Sequence, residues 1–339
     1  MPLSKTILPS LLRRIDLTRE QAAWAMSKIV SGELDPVQVA GFAAALRTKG
    51  ETAAELTGLV EASLASALPV VIPGPVVDIA GTGGDGTGAV NISTMAAVVA
   101  AATGVTVVKH GGRAASSATA GAADLVEQLG VRLDLSPAQA ARVAAEAGIT
   151  FLFAPRYHPG LRHAAAVRRS LGVPTVFNIL GPLINPAAPG HQVVGVADAR
   201  LAPLVAEMFA GRGVQALVVR GDDGLDKLTT TTTSRVWTVR DGTVRATVLD
   251  PALLGLARAV PAQLRGGDAV HNARITRAVL GGEPGPIRDV VLLNAAAMLV
   301  AVDGRSFPAA LARCAEVVGS GAATVTLDRW VAASRSSVG

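Results

Sequence analysis

Cysteine is almost absent: Cys314 is the single one in 339 residues. That excludes an intrachain disulfide and a thiolate metal cluster, and leaves a core position in a helical stretch as its expected place. Aromatic residues reach only 3%, so the core must be built from Ala, Val, Leu and Gly in closely approaching elements. No apolar run is long enough to span a membrane, since proline interrupts PVVIPGPVVDIAG and glycine breaks AAVVAAATGVTVV. The N-terminal MPLSKTILPSLLRRIDL lacks the apolar centre and cleavage site of a secretory signal. A cytoplasmic protein without a membrane partner is expected. Acids are also few, 26 against 31 Lys and Arg, and the net charge of +5 comes from their scarcity rather than from basic tracts. Arg13-Arg14 and Arg168-Arg169 are paired, but no long basic run or aromatic-basic interleaving accompanies them. No nucleic-acid partner is expected, only a mild pull on anionic metabolites.

What the chain has in quantity is apolar residue, 50% of 339, enough for a large core in one to three domains. Thr18 and Gln21 form a capping-box pattern before apolar residues at helical spacing up to Gly32, and Asp35-Pro36 opens a second helix that stops at Lys49-Gly50. A third helix is expected over Ala53 to Ala67, which makes the first seventy residues a small all-helical unit. From Val70 strand-like runs alternate with helices, as in parallel α/β packing. Pro75 to Ile79, Gly104 to Val108, Thr150 to Ala154, Thr175 to Asn178, Gln192 to Ala197 and Gln215 to Arg220 are candidate strands. Ser93 to Ala102, Ala122 to Leu129 and His158 to Leu171 are candidate helices. Ser234 to Val239 and Thr243 to Leu249 resemble an antiparallel pair around Asp241-Gly242. The last ninety residues are expected to be helical apart from a strand near Ala323 to Leu327. The fold class is thus α/β, a small all-helical N-terminal domain plus a larger α/β domain with a central, mostly parallel sheet.

Four segments carry chemistry. Asp78-Ile79-Ala80-Gly81-Thr82-Gly83-Gly84-Asp85, followed by Asn91-Ile92-Ser93-Thr94 at a helix head, joins strand to helix. Glycine lets backbone approach phosphate oxygens, and free helix-start amides bind the charge; a purely structural turn with a capped helix is the alternative. Lys109-His110-Gly111-Gly112-Arg113-Ala114-Ala115-Ser116-Ser117 follows the next strand, so that it can face the first loop across a parallel sheet's edge. Lys109 and Arg113 suit phosphate oxygens, while His110 is either an acceptor contact or a surface or capping histidine. Phe153 to Pro159 runs through Arg162, His163 and Arg168 to Phe177-Asn178-Ile179-Leu180-Gly181-Pro182-Leu183 and Asn185-Pro186. An arginine here fits a carboxylate, though several must be solvated helix face. In Gly221-Asp222-Asp223-Gly224-Leu225-Asp226-Lys227-Leu228 a carboxylate can hold magnesium, or Asp222-Asp223-Gly224 is an ordinary turn.

Taken in order, these four motifs resemble the anthranilate phosphoribosyltransferase family over nearly the whole chain. The resemblance implies a helical domain, residues 1–70 with roughly 160–186 packing back on it, and an α/β domain, residues 71–159 and 187–339. It implies a homodimer, magnesium as cofactor, and phosphoribosyl pyrophosphate and a small aromatic acceptor, anthranilate, as partners. By the same resemblance Gly81, Gly84, Asp85, Asn91, Ser93, Thr94, Lys109, Gly111, Gly112, Arg113, Ala114, Ala115, Ser116 and Ser117 would hold the activated sugar and its magnesium. Ser93 and Asp226 match metal positions, and His110 and Arg168 line the acceptor channel, with Arg168 on the carboxylate. Lys109 and His110 would be the catalytic pair, Lys109 stabilising the leaving charge and His110 accepting a proton late in the reaction.

The chain departs from that pattern at four points. Gly112 stands where the family has Asn, Ala89 where a threonine is usual, the stretch from Ser116 to Asp124 is one residue longer, and the family's Asp-Glu metal pair is Asp226-Lys227 here. Lys227 either neutralises pyrophosphate itself or costs metal affinity. A transferase for another small aromatic acid or heterocycle, a nucleoside-phosphorylase-like enzyme and a non-catalytic phosphoribosyl-ligand-binding protein are the alternatives.

Overall fold

The structure, a computed structural model, describes residues 3–114 and 119–336. A π-helical turn at Leu3–Ile7 leads into α1 (Leu8–Leu12), followed by α2 (Arg19–Val30), α3 (Pro36–Lys49) and α4 (Ala53–Ala65). Each of the last three starts in a capping box: Thr18 with Gln21, Asp35 with Gln38 and Thr52 with Glu55. Glu55 is wholly buried. Besides capping α4 it accepts Leu17 N at 2.8 Å and pairs with Lys49 at 2.9 Å, so one carboxylate ties three parts of the bundle together.

Beyond residue 70 the chain alternates: β1 (Val76–Gly81), α5 (Ile92–Ala102), β2 (Thr106–Gly111), α6 (Ala122–Gln128), α7 (Pro137–Ala147) and β3 (Ile149–Phe153). The short α8 (Ala154–Tyr157), α9 (Arg162–Leu171) and α10 (Val176–Ile179) follow, then β4 (His191–Gly195), α11 (Leu201–Gly211), β5 (Gln215–Gly221), β6 (Ser234–Arg240) and β7 (Thr243–Leu249). The chain closes with α12 (Ala269–Leu280), α13 (Pro286–Asp303), α14 (Phe307–Gly319) and α15 (Ala322–Ser336). The sheet order is β3-β2-β1-β4-β5-β6-β7, with the first five strands parallel and β6 and β7 antiparallel. The fold is a small helical domain plus a larger α/β domain with a mostly parallel sheet. Among the described residues no helix is long and apolar enough to cross a membrane.

Because strand side chains alternate, β4 and β5 divide theirs between two cores. Val193, Leu217 and Val219 join α5 and α13 in one. Val194, Ala216 and Val218 join α11 and the N-terminal helices in the other. The N-terminal bundle therefore shares its core with one face of the sheet. Cys314 is buried on α14, in the helical core position expected for it.

Two expected strands are helices. Thr175 to Asn178 supplies α10: Asn178 Oδ1 accepts Thr175 N at 3.0 Å, and Val176, Phe177 and Ile179 are buried. A four-residue apolar run carries no period of its own, so tertiary packing decides its state. Ala323 to Leu327 lies within α15, where Ala323, Thr326, Leu327 and Trp330 bury one helical face at i, i+3, i+4 and i+7.

Candidate active site

From β1 the chain runs outward to β2 and β3, then returns to lay β4 on the other side of β1. The reversal opens a crevice beyond the carboxyl ends of β1 and β4, the place where open α/β sheets bind ligands. Thr82 N donates to Gly195 O at 2.9 Å, and Thr82 Oγ1 accepts Ala197 N at 3.2 Å, which pins the two strand ends together. After Gly81 the loop passes through Gly83, Gly84, Gly86 and Gly88, all at positive φ. A Cβ at Gly84 would meet nothing within 4 Å, so the loop is open to a ligand as well as turned.

Asp226 reaches this loop from beyond β5. Its Oδ2 accepts Gly83 N at 2.7 Å, and its other oxygen is in contact with the Lys227 ammonium. The approach depends on missing side chains: a Cβ on Gly81 would lie 2.2 Å from the Asp226 carboxylate, and one on Gly195 would lie 1.5 Å from the Asp226 carbonyl oxygen. Asp85 folds inward, its Oδ1 accepting the amide and hydroxyl of Thr87 at 3.0 Å and its Oδ2 the Asp226 amide at 3.4 Å. Burial opposes the charge on Lys227, but Asp226 and Asp85 outweigh it and hold the ammonium's pKa above its usual range.

Just before α5, Asn91 spans two partners, donating to Ala120 O and accepting from Asn272, each at 2.7 Å. Ser93 is partly exposed, whereas Thr94 is buried and its hydroxyl has no partner among the described residues. Lys109 lies within the sheet edge, its ammonium 2.8 Å from Ile79 O and 3.4 Å from Ser93 Oγ. Burial brings its pKa down to about 8, with Asp78 pulling the other way, so it remains charged at neutral pH.

His110 Nδ1 is 3.0 Å from Gly181 O. A carbonyl only accepts, so Nδ1 carries the proton and Nε2, buried and without a partner among the described residues, presents a lone pair. The ring meets His158 edge-on at 5.2 Å, and burial pushes the His110 pKa down to about 3. Between that value and the ordinary 6.5 the unfolded chain binds a proton at His110 that the folded chain does not, so stability rises with pH across the window. His110→Gln is expected to flatten this dependence by about 1.4 kcal/mol per pH unit. Urea denaturation of both proteins from pH 4.5 to 6 measures it, and equal slopes would mean that the imidazole is charged in the folded state.

Arg113, expected to face phosphate, pairs instead with Asp124 at 2.9 Å and Glu127 at 2.8 Å and lies 5.6 Å from the centre of the Phe153 ring. These two acids hold its pKa above the usual range. It lines a surface cavity of about 630 Å³ with Asp134, Phe153, Pro155 and Arg156, beyond the ends of β2 and β3 rather than at the glycine loop. Gly111 packs against Phe151 and Ala122, while a Cβ on Gly112 would touch nothing within 4 Å. The Ala114 amide donates to Asp124 at 3.2 Å. Ala115, Ser116 and Ser117 lie outside the described residues. Arg168, on α9, is partly buried, and its guanidinium has no hydrogen bond or ion pair among the described residues; burial lowers its pKa.

Two expectations for the last motif separate. Asp223 accepts the hydroxyls of Thr229 and Thr231 and the Leu225 amide, and Asp222 pairs with Thr233 and Arg235, so this acidic pair organises a turn. Only Asp226 reaches the crevice. Three contributors were not among the expected site residues, although Asp78 opens the first motif. Asp78, 1% exposed, accepts Asn185 Nδ2 at 2.8 Å, and the same amide donates to Val108 O at 2.7 Å, locking β1, β2 and the Gly181–Asn185 segment. Asp78 was legible as a carboxylate inside an apolar strand, a charge that must find partners. Gly195 and Asn272 carried no local signal.

Residues 5–67 match the helical bundle domain, and residues 73–324 the a/b domain, of a glycosyl transferase family. Fold and crevice together define a glycosyl transferase of the phosphoribosyl-transferring class. An anthranilate phosphoribosyltransferase from a Nocardioides species is 55% identical over 334 residues, which cover 97% of this chain and 98% of its own. The solved anthranilate phosphoribosyltransferase of Thermus thermophilus superimposes with a TM-score of 0.92 at 42% identity, covering 97% of this chain and 99% of its own. That of Saccharomyces cerevisiae in complex with PRPP and Mg gives 0.89 at 29%, covering 98% and 99%. The chain belongs to the anthranilate phosphoribosyltransferase family.

Proposed function

We infer that the protein transfers the 5-phosphoribosyl group from phosphoribosyl pyrophosphate to anthranilate, releasing pyrophosphate and N-(5-phosphoribosyl)anthranilate, a step of tryptophan biosynthesis. The observation that carries the reading is the open glycine loop at the β1/β4 reversal, tied at Gly83 to Asp226 and bordered by Ser93 and Lys109. Amides from Gly81 to Gly84, with Asp85, Asn91, Ser93 and Thr94, receive the donor's phosphates and ribose hydroxyls.

Displacement at the anomeric carbon breaks the C–O bond to pyrophosphate, forms a C–N bond to the acceptor amine, and releases one amine proton. The amine already bears a free lone pair, so alignment and stabilisation of the leaving charge do most of the work. Lys109, fixed on Ile79 O, supplies charge beside the loop. His110, too weak a base to hold a proton at neutral pH, acts by accepting an amine hydrogen bond at Nε2. Arg168 receives the acceptor's carboxylate. Gly111, Gly112 and Ala114 border the donor side, and Arg113 joins them once it exchanges its acidic partners for phosphate.

Among the described residues no three His, Cys, Asp or Glu side chains converge into a metal cage. The Ser93 hydroxyl suits magnesium carried mainly by the donor's phosphates, where the ion offsets the pyrophosphate charge when bound. We place residues 1–70 with roughly 160–186 as the helical domain, and 71–159 with 187–339 as the α/β domain that binds the donor. The working form is a cytoplasmic homodimer with no nucleic-acid partner; exposed Leu12, Ile15 and Val37 on the helical domain supply apolar surface for the seam. Loss of anthranilate fluorescence on adding donor and magnesium tests the activity. No loss with folded, donor-binding protein would sink it.

A further inference from the structure

We propose that Lys227 is a resident cation of the donor site: its ammonium, seated on Asp226 and facing Asp85, occupies the place where these carboxylates would hold a divalent ion, and itself offsets the donor's pyrophosphate. The inference rests on the pyrophosphate reading of the glycine loop. Asp226 is 1% exposed, its carboxylate receives a hydrogen bond from Gly83 N, and burial and the neighbouring Asp85 carboxyl both oppose its charge while Lys227 favours it. A carboxylate so placed requires a positive partner. Two oxygen-donating acids beside a phosphate loop suit a hydrated divalent ion, but here the ammonium of the adjoining residue fills the need by an ion pair. The two side chains differ in reach: that of Lys227 keeps 16% of its surface in solvent, against 1% for Asp226. The Lys227 side chain therefore lies between the buried acid and solvent, and its ammonium is a point charge suited to phosphate. Asp85 alone is the poorer metal ligand, since its Oδ1 accepts the Thr87 amide and hydroxyl and its Oδ2 the Asp226 amide at 3.4 Å.

The test counts ions. Free Mn²⁺ is followed by EPR while full-length protein is titrated without donor, for the wild type, Asp226→Asn, Lys227→Glu and the double variant Asp226→Asn/Lys227→Glu, each checked for folding by circular dichroism. The wild type is expected to bind no Mn²⁺ at this pair up to about 0.5 mM, a concentration typical of weak carboxylate sites. Lys227→Glu is expected to gain one ion per chain, and the double variant to lose it. A wild-type site abolished by Asp226→Asn, or a folded Lys227→Glu protein that gains no ion, overturns the proposal. Calorimetric titration with phosphoribosyl pyrophosphate and magnesium supplies the second reading. Lys227→Gln is expected to weaken donor binding by roughly tenfold or more, as loss of one charge-assisted contact does, and unchanged affinity overturns the pyrophosphate role. Wild-type protein that binds no donor at any magnesium concentration defeats the functional reading instead, while the donor-free count still decides the cation.

Discussion

Gly195→Ala is expected to cost more than about 4 kcal/mol of folding stability, beyond the range of ordinary point substitutions, and to abolish transfer activity. The added Cβ would lie 1.5 Å from the Asp226 carbonyl oxygen and 2.3 Å from its carbon. These are backbone atoms, so no rotamer change relieves the clash. One of two elements must move: β4, held between β1 and β5, or the Asp226 loop. Urea denaturation gives the stability, and a midpoint within error of wild type would mean that the loop does not lie over β4 in solution. Gly81→Ala makes an informative contrast. Its Cβ meets the Asp226 carboxylate rather than backbone, so stability should fall less, while activity drops as the carboxylate leaves Gly83 N.

Arg168→Ala is expected to raise the KM for anthranilate by on the order of 30- to 100-fold, the loss of about 2 to 3 kcal/mol from charge-assisted hydrogen bonds to a carboxylate. The KM for phosphoribosyl pyrophosphate should be unchanged. Arg168→Lys should recover only part of the loss, because a point charge does not reproduce the guanidinium fork. Folding stability should not fall, since the guanidinium has been drawn partly out of water with no partner among the described residues to compensate. Steady-state kinetics with both substrates varied would separate the effects. Equal rises in both KM values would place Arg168 outside the acceptor subsite.

Most loops that border the crevice stood out in the sequence because their parts are local. The glycines from Gly81 to Gly84, the Asn91-Ile92-Ser93-Thr94 helix start and the Lys109-His110 strand end each fall within a few residues of an element's end, where turn chemistry and helix capping are written in adjacent letters. The same locality explains the capping boxes at Thr18 and Asp35. It also explains the two misassigned strands, since a short apolar run does not distinguish a helix packed on α3 from a sheet strand, and the helical period in α15 appears only when Trp330 is included.

The sequence by itself determined the helical N-terminal unit, the α/β alternation, the glycine loop and the placement of Lys227 next to Asp226. Only the tertiary structure decided that Asp226 accepts the Gly83 amide, that Arg113 is tied to Asp124 and Glu127, and that His110 is neutral with its lone pair on Nε2. Those outcomes depend on partners far apart in the chain, 143 residues between Gly83 and Asp226 and 107 between Asp78 and Asn185. Charge, desolvation and close approach act through space, and the register of a seven-stranded sheet sets which groups meet.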